Sequence, residues 1–139
     1  MDATLRLDRN MRIIGTTPSG LETIFDTHPG VGGEDTAPTP MEVMLQAMAA
    51  CSFMDIVSII RKKRKHLGGL KIYVHGDRAE KHPKVFTEVQ LTYELTSEDA
   101  EMKDLVRAIE LSQSTYCGAS AIFQRSGCTV TWKAVLLRP

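Results

Sequence analysis

The longest apolar run in the chain covers residues 43–60 and predicts one long helix. Thr39 fits the N-cap, Pro40 the first helical position, and Glu42 the acidic member of a capping box. The basic segment 61–66 suits the carboxyl end of the helix dipole. A helix that is apolar nearly all round is typical of one buried on every side, so we expect a partner subunit to help cover it.

A membrane span is the other structure that such a run could form. Polar side chains interrupt it, and no second hydrophobic segment follows. We therefore predict a buried helix and no membrane. The interrupting residues are Gln46, Ser52, Asp55 and Ser58.

Alternating apolar positions predict strands on both sides of this helix. Residues 3–15 and 20–27 predict two short strands, and residues 70–78 and 85–95 predict an antiparallel hairpin. A last strand follows Cys128. Ser97 is the predicted cap of a second helix that ends near Ser112, and residues 117–125 predict a short third helix. The order ββ-α-ββ-αα-β predicts an α+β fold with mostly antiparallel pairing, in a single domain over residues 1–139.

Charge and cysteine content narrow the function classes. Seventeen basic and seventeen acidic residues cancel, so no overall field attracts nucleic acid or an anionic membrane. Three cysteines are an odd number, which favours free thiols in a reducing compartment. The first residues carry no basic-then-apolar signal, so we expect a cytoplasmic protein.

Two cysteines carry the candidate chemistry. Cys51, Asp55 and Ser58 fall on one narrow stripe of the predicted helix, with Met44 nearby. Cys117 stands where a helix begins, and the amide groups there favour a thiolate. The alternative is that Cys51 packs as a small hydrophobe and Cys117 is a chance loop cysteine. Core packing is the better interpretation of a third cysteine, Cys128.

Other candidate sites are weaker. The glycine-rich loop 30–35 leads towards a helix, but it lacks the lysine and the spacing of a phosphate loop, and its acids would repel phosphate. The basic run 61–65 is better explained as a solvated helix end than as a nucleic-acid surface, which stays a distant third hypothesis. No CxxC occurs, and the four histidines lack metal-ligand spacing, so we expect no metal. They are His28, His66, His75 and His82.

Two segments together resemble the OsmC/Ohr family, the osmotically inducible and organic hydroperoxide resistance proteins. One runs from 38–42 into 49–52 with Cys51, and the other is 112–117 with Cys117. The resemblance extends over nearly the whole chain and is closest to the YhfA-like branch. It implies an OsmC-like fold with antiparallel sheets wrapped around a long buried central helix, in an intertwined homodimer with two sites at the subunit interface.

The resemblance also implies a thiol-dependent peroxidase. Cys51 would be the peroxidatic thiol and Cys117 the resolving thiol, with an external dithiol as reductant and no metal or flavin cofactor. An apolar surround would favour organic hydroperoxides over hydrogen peroxide. That surround would comprise Met44, Met48, Phe53 and Met54.

One position departs from the pattern of the peroxidase branches, which place a glutamate directly after the helix-opening proline. Here Met41 follows Pro40, and Glu42 lies about 180° round the helix from Cys51, so we expect it to cap the helix. Asp55 joins the predicted site from the cysteine stripe. The cation beside Cys51 would be Arg12, and the alternatives are the two arginines Arg6 and Arg9.

A second function stays open. A non-catalytic protein could use the same interfacial cavity to bind a small apolar or thiol ligand, with both cysteines as packing.

Overall fold

A computed structural model describes all 139 residues, in two compact units, Met1–Met44 and Leu45–Pro139. The predicted α+β class is confirmed, with three helices and two three-stranded sheets. The first unit holds one sheet, and the second unit holds the other. That residues 1–139 form a single domain stays a prediction.

The helices and strands have the following bounds. They are β1 (Thr4–Arg9), β2 (Arg12–Thr16), β3 (Glu22–Phe25), α1 (Pro40–Lys62), β4 (Gly69–Arg78), β5 (Phe86–Thr96), α2 (Met102–Leu111), α3 (Gly118–Arg125) and β6 (Thr129–Leu137). A 3₁₀ turn covers Pro29–Val31, and a π-helical turn covers Ser112–Tyr116.

The first sheet is antiparallel, in the order β1-β2-β3. The prediction of one strand over residues 3–15 was wrong, because the chain reverses between Arg9 and Arg12 and forms a hairpin. Asn10 takes a left-handed φ of 49° at this reversal, a conformation that asparagine tolerates better than most residues. The loose alternation of apolar positions continues through the turn and therefore hides it.

A buried carboxylate organises the glycine-rich loop. Asp26 is 2% exposed and accepts hydrogen bonds from the Thr27 and Thr36 amides at 2.8 and 3.0 Å and from the Thr36 hydroxyl at 2.6 Å. These donors, the Thr36 hydroxyl foremost, lower the pKa of Asp26 to about 2. The loop therefore has a structural role.

Gly33 is the position in this loop where a side chain cannot fit. A Cβ there would overlap the Thr27 carbonyl oxygen, whereas a Cβ at Gly30 would meet nothing within 4 Å.

The helix start of α1 is confirmed as a capping box. The Thr39 amide donates to Glu42 Oε2 at 2.7 Å, and the Glu42 amide donates to Thr39 Oγ1 at 3.3 Å. The Thr39 amide and hydroxyl both lower the pKa of Glu42. Glu42 is thus committed to the cap, as its position round the helix predicted.

The chain itself buries one side of α1 only. Met48, Ser52, Ile56 and Ile60 are fully buried, whereas Met54 on another side is 73% exposed. By length and composition α1 could also cross a membrane, but its buried side shows it packing as a core helix. The cover that a partner subunit would give to the exposed side stays a prediction.

The second sheet has the order β4-β5-β6, with β5 in the centre. The predicted antiparallel hairpin of β4 and β5 is confirmed. The expected antiparallel pairing fails for β6, which runs parallel to β5 with Val89 opposite Val130. The chain between them passes through α2, the π-helical turn and α3, and such a helical crossover is what a parallel pair requires.

The second helix begins later than predicted. Ser97 accepts a hydrogen bond from the Ala100 amide at 3.0 Å and so closes a turn, whereas the N-cap of α2 is Glu101. The Glu101 amide donates to Asp104 Oδ2 at 3.0 Å, which places Asp104 in the first turn of α2. Serine is a common turn residue as well as a common cap, so its presence alone did not decide between the two.

We predict that Gly33→Ala lowers the free energy of unfolding by about 2 kcal/mol or more, because the new methyl group overlaps the Thr27 carbonyl. Gly30→Ala is the matched control and should change it by less than about 0.5 kcal/mol. Urea unfolding of both variants measures the difference. Equal stabilities would show that the loop is not packed as described.

Candidate thiol site

The segment that carries Cys117 begins with a π-helical turn. The Cys117 amide donates to the Ser112 carbonyl at 2.8 Å, five residues back along the chain. Such turns are rare and occur disproportionately at functional sites. The turn ends at Cys117, which is also the N-cap of α3.

The Cys117 thiol is buried, with 3% of the residue exposed. Burial raises the pKa of Cys117, and the neighbouring Cys51 thiol raises it further. The Ser120 amide donates to the Cys117 sulfur at 3.3 Å, and this bond opposes the rise in pKa. The structure therefore brings Cys117 close to Cys51, and it keeps the Cys117 thiol protonated at neutral pH.

Cys51 lies on α1 at one edge of the buried side of the helix. It is half-buried, so Cys51 as a whole residue is more exposed than Cys117. Asp55 is also half-buried and follows one turn later on the same edge, whereas Ser58 is exposed. The predicted stripe thus runs along the border of the core.

A chain of hydrogen bonds lies beside the two thiols. Gln113 Nε2 is 2.8 Å from the Tyr93 hydroxyl, which is 2.7 Å from Ser52 Oγ. Ser52 Oγ is 2.9 Å from Ser112 Oγ, and Ser112 Oγ donates to Asp55 Oδ2 at 2.8 Å. The chain links β5, α1 and the π-helical turn.

The direction of every bond in this chain follows from its last acceptor. Asp55 accepts the hydroxyl proton of Ser112, so Ser112 has no other proton to donate and must accept from Ser52. Ser52 then accepts from Tyr93, whose oxygen accepts from the Gln113 amide. All four donors therefore point towards Asp55.

Burial raises the pKa of Tyr93, although Ser52 and Gln113 oppose the shift. The phenol therefore remains a donor at neutral pH, as the direction of the chain requires.

Asp55 also faces an open pocket of about 560 Å³. Its lining includes apolar side chains and two lysines, of which Lys63 pairs with Asp104 at 2.9 Å. The lining residues are Asp55, Ser58, Ile59, Lys62, Lys63, Leu111 and Tyr116.

The predicted apolar surround occupies different parts of α1. Met48 is fully buried, and its carbonyl accepts a weak hydrogen bond from the Cys117 thiol across 4.0 Å. Phe53 is half-buried, whereas Met44 and Met54 are 46% and 73% exposed. Only Met48 is thus placed next to a candidate thiol by an observed contact.

Arg12 lies on β2 in the first unit. Its guanidinium donates to Asp8 at 3.1 Å and to the Thr36 hydroxyl at 2.6 Å, and the side chain is 17% exposed. Arg6 and Arg9 make exposed ion pairs with Glu22 and Glu34. Arg12 is therefore the most enclosed of the three candidate cations.

Sequence reasoning missed four members of the site, namely Ser52, Tyr93, Ser112 and Gln113. The sequence presents Ser52 as a polar interruption of an apolar run and as the end of segment 49–52, and Tyr93 as one more residue on the buried side of a strand. Ser112 and Gln113 were noticed only as part of the segment before Cys117. No group of His, Cys, Asp and Glu side chains has an arrangement that could hold a metal ion.

Comparison with known proteins decides the family. The model of the family described as OsmC-like protein matches residues 32–133. The chain belongs to the OsmC-like protein family. Both segments on which the resemblance rested lie within the matched range.

Individual proteins resemble this chain over nearly its whole length. The chain is 29% identical to Protein YhfA of Escherichia coli K12 over 91% of each chain. A hypothetical protein from Aquifex aeolicus VF5 superposes with a TM-score of 0.81 at 29% identity, over 97% of this chain and 96% of that one. An organic hydroperoxide resistance protein from Legionella pneumophila shares the fold, with a TM-score of 0.67 at 14% identity over 97% of both chains.

We predict that Tyr93→Phe destabilises the protein by about 1–3 kcal/mol, because Ser52 loses the nearer of its two donors and the Gln113 amide loses its nearest acceptor. Tyr73→Phe, at a 55% exposed position, is the matched control and should leave stability unchanged. Urea unfolding tests both variants. Hydrogen exchange of the Cys117 amide should also accelerate in Tyr93→Phe, and unchanged exchange there would contradict the role assigned to this chain of bonds.

Proposed function

We propose that this OsmC-like protein reduces organic hydroperoxides with Cys51 as the peroxidatic thiol and Cys117 as the resolving thiol. The observation that carries the proposal is that the two thiols are neighbours. They are close enough for Cys51 to raise the pKa of Cys117. Their different burial suits different roles, since a peroxide can reach the half-buried Cys51 more easily than Cys117.

In the first step the Cys51 thiolate attacks the terminal peroxide oxygen and the O–O bond breaks. The sulfur becomes a sulfenic acid, and the alkoxide takes a proton and leaves as an alcohol. In the second step the Cys117 thiol condenses with the sulfenic acid, which forms a disulfide and releases water. An external dithiol then reduces this disulfide by thiol exchange.

The raised pKa of Cys117 supports this division of roles. A protonated thiol reacts poorly with peroxide, so Cys117 does not compete with Cys51 for the oxidant. It still condenses with a neighbouring sulfenic acid, because the two sulfurs are held close together and the thiol proton leaves with the departing hydroxide as water. Burial of Cys117 therefore fits a resolving thiol better than a peroxidatic one.

The substrate is proposed to be an organic hydroperoxide because the surface of α1 around Cys51 is rich in methionine. Met48 lies in the core at the thiols, and Met44 and Met54 extend the apolar surface outwards. These exposed methionines also support a homodimer, since a second copy would cover them. Three free cysteines favour a reducing, cytoplasmic location. The process needs no metal, flavin, nucleic acid or membrane.

Arg12 is the proposed cation that favours the Cys51 thiolate. Its enclosure and its bonds to Asp8 and Thr36 would fix the guanidinium in place. Asp55, at the end of the hydrogen-bond chain, is proposed to position the Ser112 segment rather than to exchange protons with peroxide.

We expect Cys51→Ser to reduce the turnover of cumene hydroperoxide with dithiothreitol to the uncatalysed rate. Without dithiothreitol, Cys117→Ser should consume about one equivalent of peroxide and then accumulate sulfenic acid at Cys51. Cys128→Ser is the matched control, since Cys128 is a buried thiol outside the site, and should keep wild-type turnover. Steady-state and single-turnover assays measure these rates.

Equal turnover in wild type and Cys51→Ser would contradict the proposal. A Cys51 thiol that stays reduced under mild peroxide would instead favour a binding protein for a small apolar or thiol ligand. The capping role of Glu42 is the observation that favours this second function, because that carboxylate is then not free to pair with a cation at Cys51.

A further inference from the structure

Ser120 is a fully buried residue whose hydroxyl lacks a partner. Its exposure is 0%, and its Oγ makes no hydrogen bond of normal geometry. Burying an unpaired hydroxyl costs roughly 1–3 kcal/mol. A serine in this position therefore calls for an explanation beyond the stability of the resting protein.

The group next to Ser120 is the Cys117 sulfur. The Ser120 amide donates to this sulfur at 3.3 Å, in the first turn of α3. The Ser120 hydroxyl also acts on the thiol in the direction that favours its ionised form. The amino end of α3 adds to the same effect, because the helix dipole attracts negative charge there.

These features match an ionised Cys117 better than the neutral thiol present at rest. A thiol sulfur is a weak acceptor, whereas a thiolate is a strong one. The Ser120 hydroxyl would therefore gain its missing hydrogen bond when Cys117 becomes charged. In the proposed cycle Cys117 carries that charge when the disulfide is opened and it leaves.

We propose that Ser120, together with the amino end of α3, stabilises the Cys117 thiolate as it leaves a Cys51–Cys117 disulfide, so that the reducing dithiol attacks Cys51. This inference rests on the proposed function for the disulfide itself. It assigns to Ser120 a catalytic contact with a reacting atom, and it names the sulfur at which the reductant enters.

The exchange balances as follows. A reductant thiolate attacks the Cys51 sulfur, the Cys51–Cys117 bond breaks, and its electron pair leaves with Cys117. The second thiolate of the reductant then attacks the reductant sulfur that is bonded to Cys51 in the mixed disulfide, and Cys51 leaves as a thiolate. The protein regains both thiols after protonation, and the reductant leaves as its disulfide. Attack at Cys51 is favoured because Cys51 is half-buried and Cys117 is 3% exposed.

The test compares Ser120→Ala with wild type in reduction of the disulfide formed beforehand with diamide. We expect dithiothreitol to reduce the variant about tenfold more slowly at pH 7, because the leaving thiolate has lost a hydrogen bond. In a Cys51→Ser Cys128→Ser background, thiolate absorbance at 240 nm should show Cys117 ionising at higher pH when Ser120 is alanine. Ser126→Ala is the matched control, since Ser126 bonds to the Phe123 carbonyl at the other end of α3.

Stability separates this role from a structural one. Ser120→Ala removes an unpaired buried oxygen, so the reduced variant should unfold at the same urea concentration as wild type or at a higher one. A destabilised variant whose Cys117 ionises as in wild type would overturn the proposal, and so would unchanged reduction kinetics.

Glutathione identifies the sulfur under attack. After diamide treatment, a monothiol should be trapped as a mixed disulfide on Cys51, and mass spectrometry locates it. Glutathione on Cys117 would overturn the assigned entry point. Diamide forms the disulfide without peroxide, so the two proposals can fail separately. If the protein shows no peroxidase turnover but Ser120→Ala still slows the reduction of the disulfide, only the peroxidase function is rejected. No diamide disulfide between Cys51 and Cys117 in wild type would reject both proposals.

Discussion

The hydrogen-bond chain that ends on Asp55 holds the two cysteine segments together. Ser52 follows Cys51 directly on α1, and Ser112 accepts the amide of Cys117 through its carbonyl. The bond between the Ser52 and Ser112 hydroxyls therefore links the segment that carries Cys51 to the segment that carries Cys117. Since Asp55 accepts from Ser112, every bond in the chain has one direction, and a chain so ordered favours a rigid site.

The two thiols of this site, Cys51 and Cys117, have different surroundings. Cys117 is enclosed by the core and by the first turn of α3, so burial raises its pKa while the helix end restrains the rise. Cys51 lies at the border of the same core. In a thiol–disulfide cycle the accessible sulfur meets external reactants and the enclosed one reacts only with its neighbour. The exposed side of α1 then offers an apolar surface for a substrate or a second subunit.

Much of the fold was predictable because it rests on local patterns. Residues that are close together in the sequence determine the periodicity of α1, its capping box and the hairpin of β4 and β5. The parallel pairing of β6 was missed because it depends on the direction in which the α2–α3 crossover returns the chain. The π-helical turn was missed too, since it is stabilised by the long-range bonds of Ser112. For the same reason the sequence pointed to Cys51 and Cys117 as candidates, yet it could not place Ser52 against Tyr93.

The central claim is that Cys51 and Cys117 of one chain can form a disulfide. Treatment of the reduced protein with one equivalent of cumene hydroperoxide, followed by non-reducing peptide mapping, tests it most directly. The account predicts a single peptide pair linking Cys51 to Cys117 at the mass of one chain. Oxidation of Cys51 to sulfinic acid with Cys117 still free, or a disulfide that joins two chains, would contradict it.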